Sequence, residues 1–316
     1  MNNKLHSEKT LILLKQIAKY AGFSPTPGLF DGKTGIAILL YHGSRCFHSS
    51  ELELVADALI DDIIEETEQI YSLGFTKGLS GIAWAINHLM NNEFIDFDTT
   101  YFDDIDRILF CDEEVPSRID NSEYPFLGLY ILSRYKNSLN KNLWVGRASN
   151  YSNYMLKLID VTGKNLFIRN RTLLTPFWYC LLKWKEYNLP FMHKDETIGQ
   201  VVQSLKKITF KDTKTINSAF ADQLFQTLLQ LEVSVQLPEK LTITDINSIY
   251  FNQLLYSDIL LPPKKILDES FSAIIEDKKL LKELLLLLNS KTIGLSHYIS
   301  GFAWSLLQYN QPRKSQ

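Results

Sequence analysis

Three helix starts of one pattern, each led by glycine, constrain this chain more than any other feature. Gly28-Leu-Phe-Asp-Gly32-Lys-Thr-Gly35-Ile-Ala37 lies near the beginning, and Gly74-Phe-Thr-Lys-Gly78-Leu-Ser-Gly81-Ile-Ala83 follows. The third, Gly294-Leu-Ser-His-Tyr298-Ile-Ser-Gly301-Phe-Ala303, lies near the end, with Tyr298 in place of the middle glycine. Each reads G-Φ-x-x-G-x-x-G-Φ-A, Φ being apolar, and each runs into an apolar stretch. A motif that recurs within one chain means repeat architecture, which must be recognised before any site is read.

The spacing supports repeats. Gly35 and Gly81 are 46 residues apart, and similar steps land on the segments 124–135 (with Gly128), 175–184, 219–229 and 250–256 before Gly301 closes the series. Six intervals from Gly35 to Gly301 average about 44 residues, within the range of helical-pair repeats. The central units have lost the motif's glycine pattern.

Amphipathic segments lie between the apolar starts. In the segment 50–67 an opening serine is fit to cap a helix, and Leu52, Val55, Leu59, Ile63 and Ile64 share a face opposite the acids. Segments 7–20, 194–208 and 276–289 read similarly. The helices that follow the glycine motifs, such as 81–90, are apolar nearly all round and require burial on every side. An outer ring of amphipathic helices around an inner ring of apolar ones satisfies both demands. No segment alternates with period two for long enough to require a sheet, so the expected class is all-α.

Glycine at the helix starts permits positive φ and close approach of the backbone to a neighbouring helix end. Helix N-termini also carry unpaired N–H groups and partial positive charge, so inner helices pointing one way would gather anion- or carbonyl-binding ends on one face. At 316 residues, with no Pro/Gly/Ser-rich linker and the repeat running throughout, residues 1–316 are expected to form one domain. Forty-five per cent hydrophobic residues suffice for a large core, and a net charge of −3 with scattered Lys and Arg gives no footprint for nucleic acid. The sequence shows no signal peptide and no membrane span, and Cys46, Cys111 and Cys180 form no disulfide framework; a cytoplasmic protein is expected.

These motifs, on a period in the mid-forties, resemble the lanthionine synthetase C-like family. The resemblance implies an (α/α) toroid of about seven helical-hairpin repeats, with inner and outer rings. Cyclases of that family add cysteine thiols of a peptide to dehydrated Ser or Thr, using zinc held by two cysteines and a histidine. Their ligands stand in Trp-Cys-x-Gly and Cys-His-Gly strings, and neither string occurs in this chain. Trp178-Tyr179-Cys180 echoes the first out of order and in too early a repeat. His297 sits just before the middle-glycine position, as the zinc histidine does, but Ser296 and Tyr298 flank it and its repeat is the last. The expectation is a member without a metal or other cofactor.

Other clusters read more plainly. Gly28–Thr34 is one residue short of a phosphate-binding loop and follows no apolar strand, so the repeat accounts better for its glycines. His42, Cys46 and His48 read as a surface loop before a metal cluster. His88 reads as a core or rim histidine. Asp103, Asp104, Asp106, Glu113 and Glu114 read as a solvated acidic face.

The resulting expectation is a zinc-free protein of a lanthipeptide-type modification system, a pseudoenzyme that binds a precursor peptide or a partner modifying enzyme such as a dehydratase. Lys77, Phe30, Phe75 and Tyr298 are its candidate binding residues. An active enzyme, either a thioether-forming cyclase with an unusual site or one using His297 as a base oriented by Asp31, is the alternative. A carbohydrate-active (α/α) toroid is the third possibility, on the acidic residues alone.

Overall fold

In a computed structural model, residues 2–67, 72–98, 100–110, 119–162 and 174–190 are described, together with 250, 254–255, 271, 303–305 and 307–308. Every regular element among them is helical: α1 (Asn2–Ala21), α2 (Lys33–Phe47), α3 (Ser50–Thr67), α4 (Leu79–Asn91), α5 (Thr100–Leu109), α6 (Tyr124–Asn137), α7 (Lys141–Thr162) and α8 (Leu174–Glu186). None is long and apolar enough to cross a membrane. His297, Tyr298, Cys111, Glu113, Glu114, the segments 194–208, 219–229 and 276–289, and most of 250–256 lie outside the described residues.

The chain divides into two compact units, Met1–Asp98 with Pro238–Gln316, and Thr99–Leu237. In the first, α2 packs against α3, α1 and α4. Helix α2 is buried without interruption from Lys33 to Tyr41, and α4 from Leu79 to Asn87, because neither has a polar stripe to turn outward. Helix α3 buries Leu52, Ala56, Leu59, Ile60 and Ile63 and leaves Val55 and Ile64 half-covered. Its buried stripe is thus turned slightly from the face marked by the larger side chains.

In the second unit α6 packs against α7 and α8, and α7 touches α8. The apolar helices begin at residues 33, 79, 124 and 174, in register with the spacing read from the sequence. Helices α6 and α8 start without the glycine loop; Pro125 and Pro176 stand in their first turns, where a missing N–H costs nothing. Gly128 lies where α6 meets its neighbours: a Cβ there would fall 2.8 Å from Tyr151 and 2.9 Å from Cys180 Sγ.

The acidic run does not form a uniformly solvated face. Asp103 and Asp104 are exposed, but Asp106 is buried and accepts hydrogen bonds from Tyr130 Oη (2.7 Å) and Arg134 Nη2 (2.8 Å). Arg147 Nη1 lies 3.7 Å from the same carboxylate. Both guanidinium groups stack on Trp144, so the charges are held inside an aromatic wall. Asp106 falls on the apolar side of α5 with Phe102, Ile105 and Leu109.

Candidate functional site

The first two glycine motifs fold into the same structure. Lys33 N donates to Thr26 O (2.9 Å), and Leu79 N donates to Ser72 O (3.0 Å). One residue on, the hydroxyl of Thr34 donates to Pro27 O, and that of Ser80 donates to Leu73 O. Each loop therefore folds back on its own helix start, and equivalent atoms are 46 residues apart. These loops are so tight that a Cβ on Gly32 would lie 2.4 Å from Thr26 O, and one on Gly78 2.3 Å from Ser72 O.

Two expectations are corrected here. No glycine among the described residues has positive φ; Gly32 (φ −142°) and Gly78 (φ −122°) are extended, and lack of space rather than backbone conformation demands glycine. The first N–H groups of α2 and α4 already bond to their own loops, so those donors are not available to an anion.

The loops lie against each other. Phe30 N donates to Thr76 O (2.9 Å), and Lys77 Nζ lies 3.6 Å from Asp31 Oδ2. Phe30 meets Phe75 edge to face at 6.3 Å. Four of the residues singled out in the sequence thus share one patch. Phe75 is fully buried and also packs on Trp84, so it supports the patch from beneath, while half-buried Phe30 and exposed Lys77 form its outer surface. Lys33, the lysine of the phosphate-loop look-alike, is buried and pairs with Asp62 (2.9 Å) and Glu66 (2.7 Å) of α3. Burial opposes its charge, but these two acids outweigh that and raise its pKa.

Further along the same helices, the sequence concealed a pairing. His42 of α2 and His88 of α4 also lie 46 residues apart, and their Nε2 atoms meet at 3.3 Å. Ring centroids 5.6 Å apart leave one ring radius beyond each nitrogen, so the imidazoles lie end to end, one donating Nε2–H to the other. Trp84 stacks on His88, while Trp304 and Phe94 abut His42. The shared repeat offset was the sequence signal for this pair. Trp84 and Trp304 share another, three residues after Gly81 and Gly301.

Burial lowers the pKa of His88 to about 4; burial, followed by the charges of His88 and Arg45, lowers that of His42 to about 3. Both are neutral at pH 7. The unfolded chain takes up these protons near pH 6.5 and the folded one does not, so stability is complete above that pH and falls as the pH drops toward 4. Urea unfolding between pH 7 and 4.5 should lose about 1.4 kcal/mol per pH unit per imidazole below pH ~6, and His88→Gln should flatten that slope.

Zinc, which the resemblance implies, does not fit the described residues: no three His, Cys, Asp or Glu side chains among them converge. Cys180 is wholly buried and burial holds its thiol well above the usual range, opposite to the thiolate a metal requires. Cys46 is half-buried, also with a raised pKa, and His42 turns toward His88 rather than toward Cys46 and His48.

A family model described as lanthionine synthetase C-like protein matches residues 25–95, the span holding the first two glycine motifs and the histidine pair. No curated protein and no solved structure matches the chain.

Proposed function

We propose, on the premise that residues 25–95 belong to the lanthionine synthetase C-like family, that this protein works in peptide modification by binding a precursor peptide or a partner modifying enzyme. The observation that carries this reading is the joined loop patch. Two motif loops bond to each other and present Phe30, Asp31 and Lys77 together, an apolar ring beside an ion pair, which suits a peptide of mixed character. Tyr298 and His297 of the third motif would join this face if the repeats form the family's toroid. Trp304, three residues past Gly301, rests edge-on against His42 of the first repeat, as a ring joining last repeat to first requires.

The reading is zinc-free, and the protein acts as a binding member of its system. An active enzyme with His297 as base and Asp31 as its orienting partner is the second reading; the position of Asp31 in the patch favours it. The test is fluorescence anisotropy with the labelled precursor peptide encoded nearest this chain's gene. Lys77→Glu places two acids side by side and should weaken binding about tenfold, whereas Arg107→Glu in the second unit should not. Equal affinities for wild type and Lys77→Glu would remove the patch from the account.

A further inference from the structure

An open cavity of about 380 Å³ lies among the end of α2, the start of α3 and the turn after α4, at the opposite ends of α2 and α4 from the motif loops. The volume is within the range of small-molecule sites. Two residues on its wall, His48 (φ 51°) and Glu93 (φ 56°), have left-handed backbone. Each closes its helix with an ordinary left-handed cap: Ser49 N donates to Ser44 O and Phe94 N to Leu89 O.

The lining carries both signs of charge. Arg45 is fixed in place: its guanidinium lies 3.6 Å over the ring of Phe94, and Nη2 donates to Glu93 O (2.9 Å). One of five N–H donors is engaged there, and the planar fork borders the cavity, a geometry suited to a carboxylate. Glu53 and Glu93 line the same cavity. Glu53 is oriented by Ser44 Oγ, which donates to Oε2 (3.2 Å). Tyr41, buried and with its hydroxyl donating to Asp57 (2.6 Å), leaves its ring as an apolar portion of the lining.

A simple anion entering this space meets two carboxylates, and a simple cation meets the guanidinium. A molecule carrying both charges a few bonds apart satisfies both signs of the lining. We infer that this cavity binds a small zwitterion of the free amino-acid class, its carboxylate on Arg45, its ammonium on Glu53 and Glu93, and its side chain against Tyr41 and Phe94. The inference does not rest on the peptide-binding reading of the motif face.

Saturation-transfer NMR on the full chain tests it with three probes of one carbon skeleton: L-leucine, 4-methylpentanoate without the ammonium, and 3-methylbutylamine without the carboxylate. The other natural amino acids are run alongside. Binding is expected for at least one amino acid below about 10 mM, and each truncated probe should be weaker by about tenfold. Arg45→Gln should abolish the signal and Glu53→Gln should reduce it about tenfold, with helical circular dichroism unchanged in both. No amino acid binding at that concentration would overturn the inference. So would a truncated probe that binds as tightly as the amino acid, or amino-acid binding that survives both substitutions.

Discussion

Gly81→Ala is expected to lower unfolding stability by more than about 3 kcal/mol. A Cβ at this position would lie 1.7 Å from Phe75 O, and the obstacle is backbone rather than a side chain that can turn aside. Relief would require opening the loop that Leu79 and Ser80 close on Ser72 and Leu73, and Phe75 beneath the patch would move with it. Gly146 in α7 is the matched control. Nothing lies within 4 Å of its would-be Cβ, so alanine there should stabilise the helix by about 0.5–1 kcal/mol. Urea denaturation of both variants checks the pair. A Gly81→Ala protein as stable as wild type would mean that the loop does not need its glycine.

Asp106→Ala should cost about 3–5 kcal/mol, because it leaves two largely buried guanidinium groups without their shared carboxylate. It also removes the acceptor of Tyr130 Oη, whose pKa is raised first by burial and then by the charge of Asp106. By contrast, Asp104→Ala, which breaks only the exposed pair with Arg107, should cost no more than about 0.5 kcal/mol. Thermal unfolding followed by circular dichroism separates the two. Similar losses for both variants would show that the interior cluster contributes no more than a surface pair.

The helical alternation was legible because each apolar helix repeats the same problem, a start that must be buried at once. At α2 and α4 the glycine motif marks that start; at α6 and α8 only spacing and an early proline do, and the structure places those starts at Tyr124 and Leu174. Asp31 and Lys77 were legible together since equivalent repeat positions meet when repeats pack side by side, and Phe30 and Phe75 as aromatic residues of the same loops. Their depth was not, because hydrophobicity does not distinguish half-buried Phe30 from fully buried Phe75. Asp106 was misread as solvated: Asp103 and Asp104 stand just before it, yet Phe102, four residues before, and Leu109, three after, are apolar and already marked its side as inward. His42 was weighed with Cys46 and His48, and His88 by itself, although the separation of the two histidines equals the repeat period. Ion pairs across elements, such as Lys33 with Asp62 and Glu66, have no such signature, since many acids lie at comparable distances along the chain.

Photocrosslinking tests the central claim most directly. A benzophenone amino acid placed at position 30 of the motif patch, and separately at exposed position 139 of the second unit, is irradiated with the precursor peptide bound. The account predicts peptide adducts from position 30, competed away by unlabelled peptide, and none above background from position 139. Equal adducts from both positions, or none from position 30 while the peptide binds, would contradict it.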